Sequence, residues 1–169
     1  MEQDLNKKKE LRDRVISFFK KNIKKFYITI IILSTVITLI VFLIIKSEKE
    51  NILISEKYIQ AGIQHTAGNI KKSKIIYEEI ILSKNKFYSI LALNNILEKD
   101  LEKNKIKIFE YFDILENINN TKEQNDIILL KKALYLIKIS DVKKGNEILK
   151  NLIKSNSDLK LIAEEIITK

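Results

Sequence analysis

Few side chains in this sequence have the types and spacing that catalysis requires. The two carboxylate pairs, Glu78-Glu79 and Glu164-Glu165, are adjacent in sequence. Neighbouring side chains on a helix point about 100° apart, so such a pair cannot hold one substrate between its carboxylates. His65 has no nucleophile near it in sequence and no glycine-rich loop to serve as an oxyanion hole. These residues favour a protein that is not an enzyme and takes no small-molecule substrate.

The composition also limits the cofactors that the chain could hold. It contains no cysteine and one histidine, which excludes the usual thiolate and imidazole metal sites, disulfides and iron–sulfur clusters. Its three glycines, Gly62, Gly68 and Gly145, are too far apart to form a phosphate-binding loop. We therefore expect no cofactor and no metal. Because proline is absent and glycine rare, we also expect long helices with short joints.

The strongest local signal is an uncharged run of 20 residues, Phe26–Ile45. At about 1.5 Å per residue, this run matches the ~30 Å hydrocarbon core of a bilayer. A buried core helix and a cleavable signal peptide are the alternatives. A signal peptide has a shorter apolar region, of roughly 7–15 residues, and a small-residue cleavage site, and neither is found here. The run therefore predicts one transmembrane helix that is retained as an anchor.

Positive charge is distributed unequally on the two sides of this run. Residues 6–25 hold nine Lys and Arg, whereas residues 46–65 hold three. Since positive charge resists translocation, the N-terminus should be cytoplasmic. The predicted organisation is a basic cytoplasmic tail (1–25), a transmembrane helix (26–45) and an extracytoplasmic domain (46–169). In a bacterium whose envelope has two membranes, the helix would cross the inner membrane and the domain would be periplasmic.

The basic tail contains four lysines next to the span, and these are candidates for contacts with anionic lipid headgroups: Lys20, Lys21, Lys24 and Lys25. Leu11, Val15 and Phe18 recur at helical spacing, so Leu11–Lys25 is either an amphipathic helix leading into the span or a solvated tail.

Beyond the membrane, residues 47–169 carry 21 basic and 18 acidic groups of a chain whose net charge is +9. Interspersed charges of this kind do not form the basic stripe of a nucleic-acid-binding module.

The remainder of the chain has the periodicity of amphipathic helices, which predicts an all-α protein. One predicted helix has Ser73, Ile76, Tyr77 and Ile80 on a single face, and another has Ile108, Tyr111, Phe112 and Leu115. Thr121 and Gln124 have the spacing of a capping box, which predicts that a helix begins there. The transmembrane helix should continue to Thr66, and the predicted helices that follow are Ile70–Ser83 (capped by Asn69), Lys86–Lys99, Glu102–Ile118, a helix with the body Ile127–Ile139, Asp141–Ile153 and Ser157–Thr168.

These helices pair at a period near 34 residues, the length of a tetratricopeptide repeat (TPR). In the repeats, small residues allow two helices to approach and bulky ones interlock. The pattern predicts an α-solenoid of about three helix pairs. An unrelated helical bundle is the alternative. The candidate repeat-packing positions are Ala61, Gly68, Ser73, Tyr77, Gly145 and Leu149.

The chain resembles the YfgM-like family of membrane-anchored TPR proteins, which are ancillary subunits of the bacterial Sec translocon. The stretches that carry the resemblance are Val15–Asn22 leading into the anchor, Lys84–Leu93, Leu130–Ala133 leading to Ile139–Asp141, and Ser157–Ile166. The resemblance implies a non-enzymatic role in which the protein binds Sec translocon subunits. Through its repeats it would bind a membrane-bound periplasmic chaperone or secreted clients. The alternative is a membrane-tethered scaffold for another envelope assembly, in cell division or outer-membrane biogenesis.

Two groups of polar residues interrupt apolar helices and are candidates for partner contacts. Ser34, Thr35 and Thr38 lie on one side of the span, where packing and interhelical hydrogen bonds determine association. Their hydroxyls could instead bond to carbonyls of the preceding turn. Asn94 and Asn95 could line a peptide-binding groove, or they could mark an exposed edge of their helix.

Overall fold

The computed structural model describes residues 2–168, and it describes their side chains except at residues 2–11, 15, 18, 19 and 26. The described residues form seven α-helices and no strand, so the predicted all-α class is confirmed. The chain divides into two compact units, Met1–Lys49 and Glu50–Lys169. The helices are α1 (Glu2–Thr66), α2 (Ile70–Leu82), α3 (Tyr88–Glu98), α4 (Lys105–Glu116), α5 (Lys122–Lys138), α6 (Val142–Lys154) and α7 (Lys160–Thr168).

Helix α1 contains one departure from helical geometry, at Asn22, where φ is −112° and ψ is 15°. This break lies within the basic tail, four residues before the apolar run begins. The end of α1 agrees with the prediction, because the helix stops at Thr66 before the Ala67-Gly68-Asn69 joint. The side chains of Leu11, Val15 and Phe18 lie outside the described residues.

The second unit is held together by the apolar faces that the sequence predicted. Ser73, Ile76, Tyr77 and Ile80 of α2 are all buried, as are Ile108, Tyr111, Phe112 and Leu115 of α4. They belong to a core that extends from the last turns of α1 to α5. A smaller apolar cluster joins α5, α6 and α7, and it is centred on Ala133, Leu149, Leu152 and Ala163.

Each helix packs mainly on its neighbours in sequence. The most extensive packing is between α5 and α6, between α2 and α3, and between α6 and α7, while α2 also contacts α4 and α3 also contacts α5. Hydrogen bonds between the helices join residues at several sequence separations. Ser73 binds Ala61, 12 residues away, Lys57 binds Glu79, 22 residues away, and Asn85 binds Asn51, 34 residues away. These contacts all join parts of the chain that are near one another in sequence.

Five helices end in the same way, with the second residue after the helix in a left-handed conformation. Gly68 occupies this position after α1, with φ 80°. The residues at the other four ends are not glycine, and they are Lys84, Asp100, Ser140 and Asn156, with φ between 51° and 71°. After α5, for example, the N–H of Asp141 donates to the carbonyl of Leu136, as in a Schellman motif. These ends produce the short joints expected from the sequence.

Helix starts differ from the predictions for α3, α4, α6 and α7. α6 begins one residue later than predicted, at Val142, and α7 begins three residues later, at Lys160 rather than Ser157. α4 begins at Lys105 rather than Glu102, because the side chain of Asn104 accepts a hydrogen bond from the N–H of Ile106 and caps the helix. α3 begins at Tyr88, two residues later than predicted. Asn69 precedes α2 as predicted, but its side chain makes no capping bond and donates to Gln64 instead. The capping box of α5 is confirmed, with both of its reciprocal bonds present.

Candidate functional site

A groove of about 300 Å³ lies between α3 and α5. Its lining has helical spacing on both sides, so each helix contributes one face. The apolar residues of the lining are Leu97 of α3 with Leu134 and Tyr135 of α5. The polar residues of the lining are Asn94, Glu98, Lys131 and Lys138.

The polar groups of the groove carry a net positive charge. The ammonium of Lys131 is half-buried and donates to the side-chain carbonyl of Asn94. Neither Lys131 nor Lys138 forms an ion pair among the described residues, and Glu98 is the only carboxylate of the lining. A ligand that brings its own carboxylate could therefore bind these two ammonium groups without breaking a resident ion pair.

The floor of the groove is formed by Tyr135, which packs in the core. Its ring lies 5.7 Å from that of Phe109 and 6.1 Å from that of Phe112. Burial, together with the charges of Asp100 and Glu102, raises the pKa of the Tyr135 hydroxyl. Tyr135 is therefore neutral at physiological pH and provides an uncharged floor between the two lysines.

The two asparagines singled out in the sequence are placed on different faces of α3. Asn94 lines the groove. Asn95 points towards α1, where its amide donates to the Tyr58 hydroxyl at 2.7 Å. The same amide donates to the carbonyl of Leu91, one turn earlier in α3, at 3.0 Å. Both are half-buried rather than at an exposed edge. Peptide binding by Asn94 remains a prediction.

Three of the candidate packing positions come together between α1 and α2. Ala61 is fully buried, and the hydroxyl of Ser73 donates to its carbonyl at 2.8 Å. The ring of Tyr77 packs edge-on against Tyr58 at 5.8 Å. Gly68 has a different role, because its positive φ forms the joint that returns the chain onto α1.

The remaining two packing positions lie between α5 and α6. A Cβ atom added to Gly145 would lie 2.6 Å from Cγ1 of Ile137 and 2.9 Å from the backbone oxygen of Ala133. Leu149, one turn further along α6, is fully buried beside Ala133. The absence of a side chain at Gly145 allows these two helices to approach closely.

The adjacent carboxylates Glu78 and Glu79 diverge towards different helices. Glu78 pairs with Lys107 of α4, and Glu79 pairs with Lys57 of α1 at 2.7 Å. His65 lies in the last turn of α1. Among the described residues, no group of three acidic or histidine side chains is placed to hold a metal.

A buried carboxylate joins α2 to the α3–α4 loop. Glu102 is 6% exposed, and Lys74 binds it at 2.6 Å. Burial alone would raise the pKa of Glu102, but hydrogen bonds from Lys74 and from the N–H of Asn104 outweigh it and hold that pKa below its usual value. The ion pair therefore stabilises the fold while the carboxylate is ionised.

The predicted span lies in a helix that is long and apolar enough to cross a membrane. The described side chains of the span are exposed on the surface of the protein. Those of the four candidate headgroup lysines, Lys20, Lys21, Lys24 and Lys25, are exposed as well. Within the candidate partner face, the hydroxyl of Thr35 donates to the Ile31 carbonyl and that of Thr38 to the Ser34 carbonyl, each at 2.9 Å. The bonds to carbonyls of the preceding turn, which were the alternative in the sequence analysis, are therefore present for both threonines. A role for this face in partner recognition remains a prediction.

The groove lysines were missed at the sequence level. Lys131, Leu134 and Lys138 recur along one face of α5, but apolar residues on most faces of that helix obscured the pattern. No family model, curated protein or solved structure matches the chain.

Proposed function

We propose that this chain is a membrane-anchored, non-enzymatic subunit that binds other proteins through a TPR-like helical domain. The observation that carries the proposal is the groove between α3 and α5, which combines an apolar floor with two lysines that form no ion pair among the described residues. Protein grooves that bind a peptide commonly combine apolar pockets with a few polar groups that fix its orientation. The groove fits a peptide segment with an apolar side chain beside a carboxylate.

The spacing of the helices supports a repeat architecture. Helices α2, α4 and α6 begin at residues 70, 105 and 142, and α3, α5 and α7 begin at residues 88, 122 and 160. These intervals are close to the 34 residues of a TPR. On this reading α3 and α5 are equivalent first helices of successive repeats, and the groove lies on the face that they share.

An anchor in the bacterial inner membrane, with the repeats in the periplasm, follows from the apolar run and from the lysines that precede it. In that compartment the resemblance to ancillary Sec translocon subunits names the partners. The anchor would lie beside the translocon, and the groove would receive a periplasmic chaperone or an emerging secreted client.

Site-specific photo-crosslinking in intact cells tests the proposal. A photoreactive amino acid replaces Leu134, which lines the groove and is 43% exposed. The matched control replaces Leu161 of α7, which is 77% exposed and lies outside the lining. Adducts are identified by mass spectrometry. We expect translocon subunits, a periplasmic chaperone or secreted proteins at Leu134 and not at Leu161.

Two further outcomes are informative. Adducts with cell-division or outer-membrane biogenesis proteins would replace the translocon role by the scaffold role. Identical adducts at both positions would show that the groove is not a binding site. If the adducts at Leu134 differ from those at Leu161, Lys131→Glu and Lys138→Glu should reduce the adducts at Leu134. Each substitution places a negative charge where the carboxylate of the ligand would bind.

A further inference from the structure

One helix joint of the second unit exposes apolar and basic side chains together. It connects α2 to α3, and residues 82–87, which we call the joint patch, have the sequence Leu-Ser-Lys-Asn-Lys-Phe. Leu82 is 57% exposed and Phe87 is 59% exposed. Lys84 and Lys86 are exposed as well, and neither forms an ion pair among the described residues.

The joint patch is held against the part of α1 that belongs to the second unit. Asn85 is the one half-buried residue of the patch. Its amide donates to the side-chain oxygen of Asn51 at 2.6 Å. Its own side-chain oxygen accepts from the N–H groups of Phe87 at 3.1 Å and Tyr88 at 2.9 Å. Asn85 therefore ties the patch to Asn51, while the apolar and basic side chains on either side of it stay exposed.

The bond to Asn51 limits how far the joint patch can lie from the end of the apolar run. Asn51 is the second residue of its unit and follows Ile45, the last residue of the run, by six positions. Six residues span at most about 22 Å in any conformation. The headgroups of a bilayer extend about 5–8 Å beyond each side of its hydrocarbon core. If the run crosses a bilayer, the patch is close to the headgroups on the side where the chain leaves it.

The side chains of the joint patch match the chemistry of a membrane surface. Protein segments that lie at such a surface combine Lys or Arg with Phe, Leu or Trp. The apolar side chains enter the boundary between headgroups and acyl chains, and the cations bind anionic lipids. Residues 46–50, which precede Asn51, contain two lysines and two glutamates and so add no net charge. Lys84 and Lys86 therefore provide positive charge beside the end of the apolar run.

The opposite end of the unit provides a reference surface. Lys74, near the start of α2, binds Glu102 at 2.6 Å, three residues before α4 begins. The start of α4 therefore lies beside the start of α2, away from the α2–α3 joint. Ile106 of α4 is 71% exposed there. Apolar side chains are thus exposed at both ends, and the joint patch is the one bonded to a residue six positions from the apolar run.

We propose that the joint patch binds the surface of the bilayer that the anchor crosses. Leu82 and Phe87 would enter the interface, and Lys84 and Lys86 would bind the headgroups of anionic phospholipids. The inference rests on the proposed membrane anchor. The patch precedes α3, whereas the groove begins at Asn94 in the second half of that helix. The contact would therefore hold the unit on the membrane and leave the groove open to a protein ligand.

The absence of cysteine from the chain permits a direct test with a fluorophore attached at one position. The full-length protein is reconstituted in vesicles of phosphatidylcholine and phosphatidylglycerol that contain a lipid with a nitroxide quencher on its headgroup. A label on Ser83→Cys reports on the joint patch, and a label on Ile106→Cys is the matched control. We expect quenching to be several-fold stronger at Ser83→Cys, and to weaken there in vesicles of phosphatidylcholine alone.

Substitutions within the patch separate binding from mere proximity. Phe87→Ser should reduce the quenching at Ser83→Cys several-fold, and so should the double substitution Lys84→Ser and Lys86→Ser. The double substitution should also abolish the difference between the two vesicle compositions. Leu161→Ser, at a residue that is 77% exposed and outside the patch, should leave the quenching unchanged.

Alkaline treatment of the vesicles followed by flotation distinguishes the possible failures. If the protein is released, both the anchor and the contact are overturned. If the protein is retained but the two labels are quenched equally, the contact alone is overturned. Stronger quenching at Ser83→Cys that none of the patch substitutions reduces would show that the short tether alone brings the joint to the bilayer, and would also overturn the contact.

Discussion

Replacing Gly145 by Ala should destabilise the domain, although alanine is the better helix former. The new Cβ would lie 2.6 Å from a side-chain atom of Ile137 and 2.9 Å from the backbone oxygen of Ala133. The Ile137 side chain can rotate only at the expense of its own packing, and the backbone oxygen moves only if α5 and α6 separate. The substitution therefore acts on the contact that joins these helices.

The magnitude combines two opposing terms. Inserting a methyl group into a well-packed core typically costs about 1–3 kcal/mol. Replacing glycine by alanine inside a helix stabilises it by about 0.5–1 kcal/mol. The net effect of Gly145→Ala should be a loss of roughly 0.5–2 kcal/mol, and Gly145→Leu should lose more because its side chain is larger.

Gly62 of α1 provides the matched control. The nearest atom to a Cβ added there is the Tyr77 hydroxyl oxygen at 3.9 Å, which is an ordinary contact. Gly62→Ala should therefore keep the full helix-propensity gain and stabilise the domain by about 0.5–1 kcal/mol. The same substitution at two helical glycines is expected to have effects of opposite sign.

Thermal unfolding of the full-length protein in detergent, followed by circular dichroism, measures both variants. A change of 1 kcal/mol corresponds to roughly 4 °C in Tm for a domain of this size. The reasoning would be refuted if Gly145→Ala raised Tm, or if the two alanine variants shifted Tm in the same direction.

Two further predictions concern the ends of helices and the buried ion pair. Ser140 has φ 71°, a conformation that strains every residue except glycine, so Ser140→Gly should raise stability by about 0.5–1 kcal/mol. Ser155 has φ −77°, so Ser155→Gly should lower stability instead. Equal shifts in Tm for the two variants would contradict this prediction. Glu102→Gln should lower stability at about pH 7 by about 1–3 kcal/mol, since it removes a charged hydrogen bond to Lys74. Because the folded-state pKa of Glu102 lies below its unfolded value of 4.5, this contribution is complete above that value and is lost as the pH falls through the folded pKa. The difference in Tm between wild type and Glu102→Gln should therefore vanish in strong acid, and a difference independent of pH would show that the charge is not responsible.

The elements could be predicted where a single pattern determines them. The capping box at Thr121 fixed the start of α5, and the periodicity of apolar residues identified the buried faces of α2 and α4. The small-residue position of the repeat pattern also identified Gly145, where α5 and α6 approach closely. In each case the physical cause acts within a few residues of sequence.

The parts that escaped prediction depend on contacts between helices or on residues acting outside their usual roles. Asn94 and Asn95 are adjacent and chemically identical, yet one faces the groove and the other binds Tyr58, because α3 packs between two different neighbours. Left-handed helix ends were not recognised at Lys84 or Ser140, since the sequence signal for such an end is normally glycine. The groove itself requires α3 and α5 to be side by side, which no local pattern shows.

The bonds that link the helices join residues no more than about 40 positions apart, which has a consequence for how the domain folds. Asn51 meets Asn85 after 34 residues, and Asn94 meets Lys131 after 37. Contacts so local in sequence require little loop closure, and proteins built from them fold rapidly. Each helix can dock once the next few dozen residues have been synthesised, with no need for the C-terminus. Folding would then proceed outward from the segment that follows the apolar run, in the order in which the chain emerges.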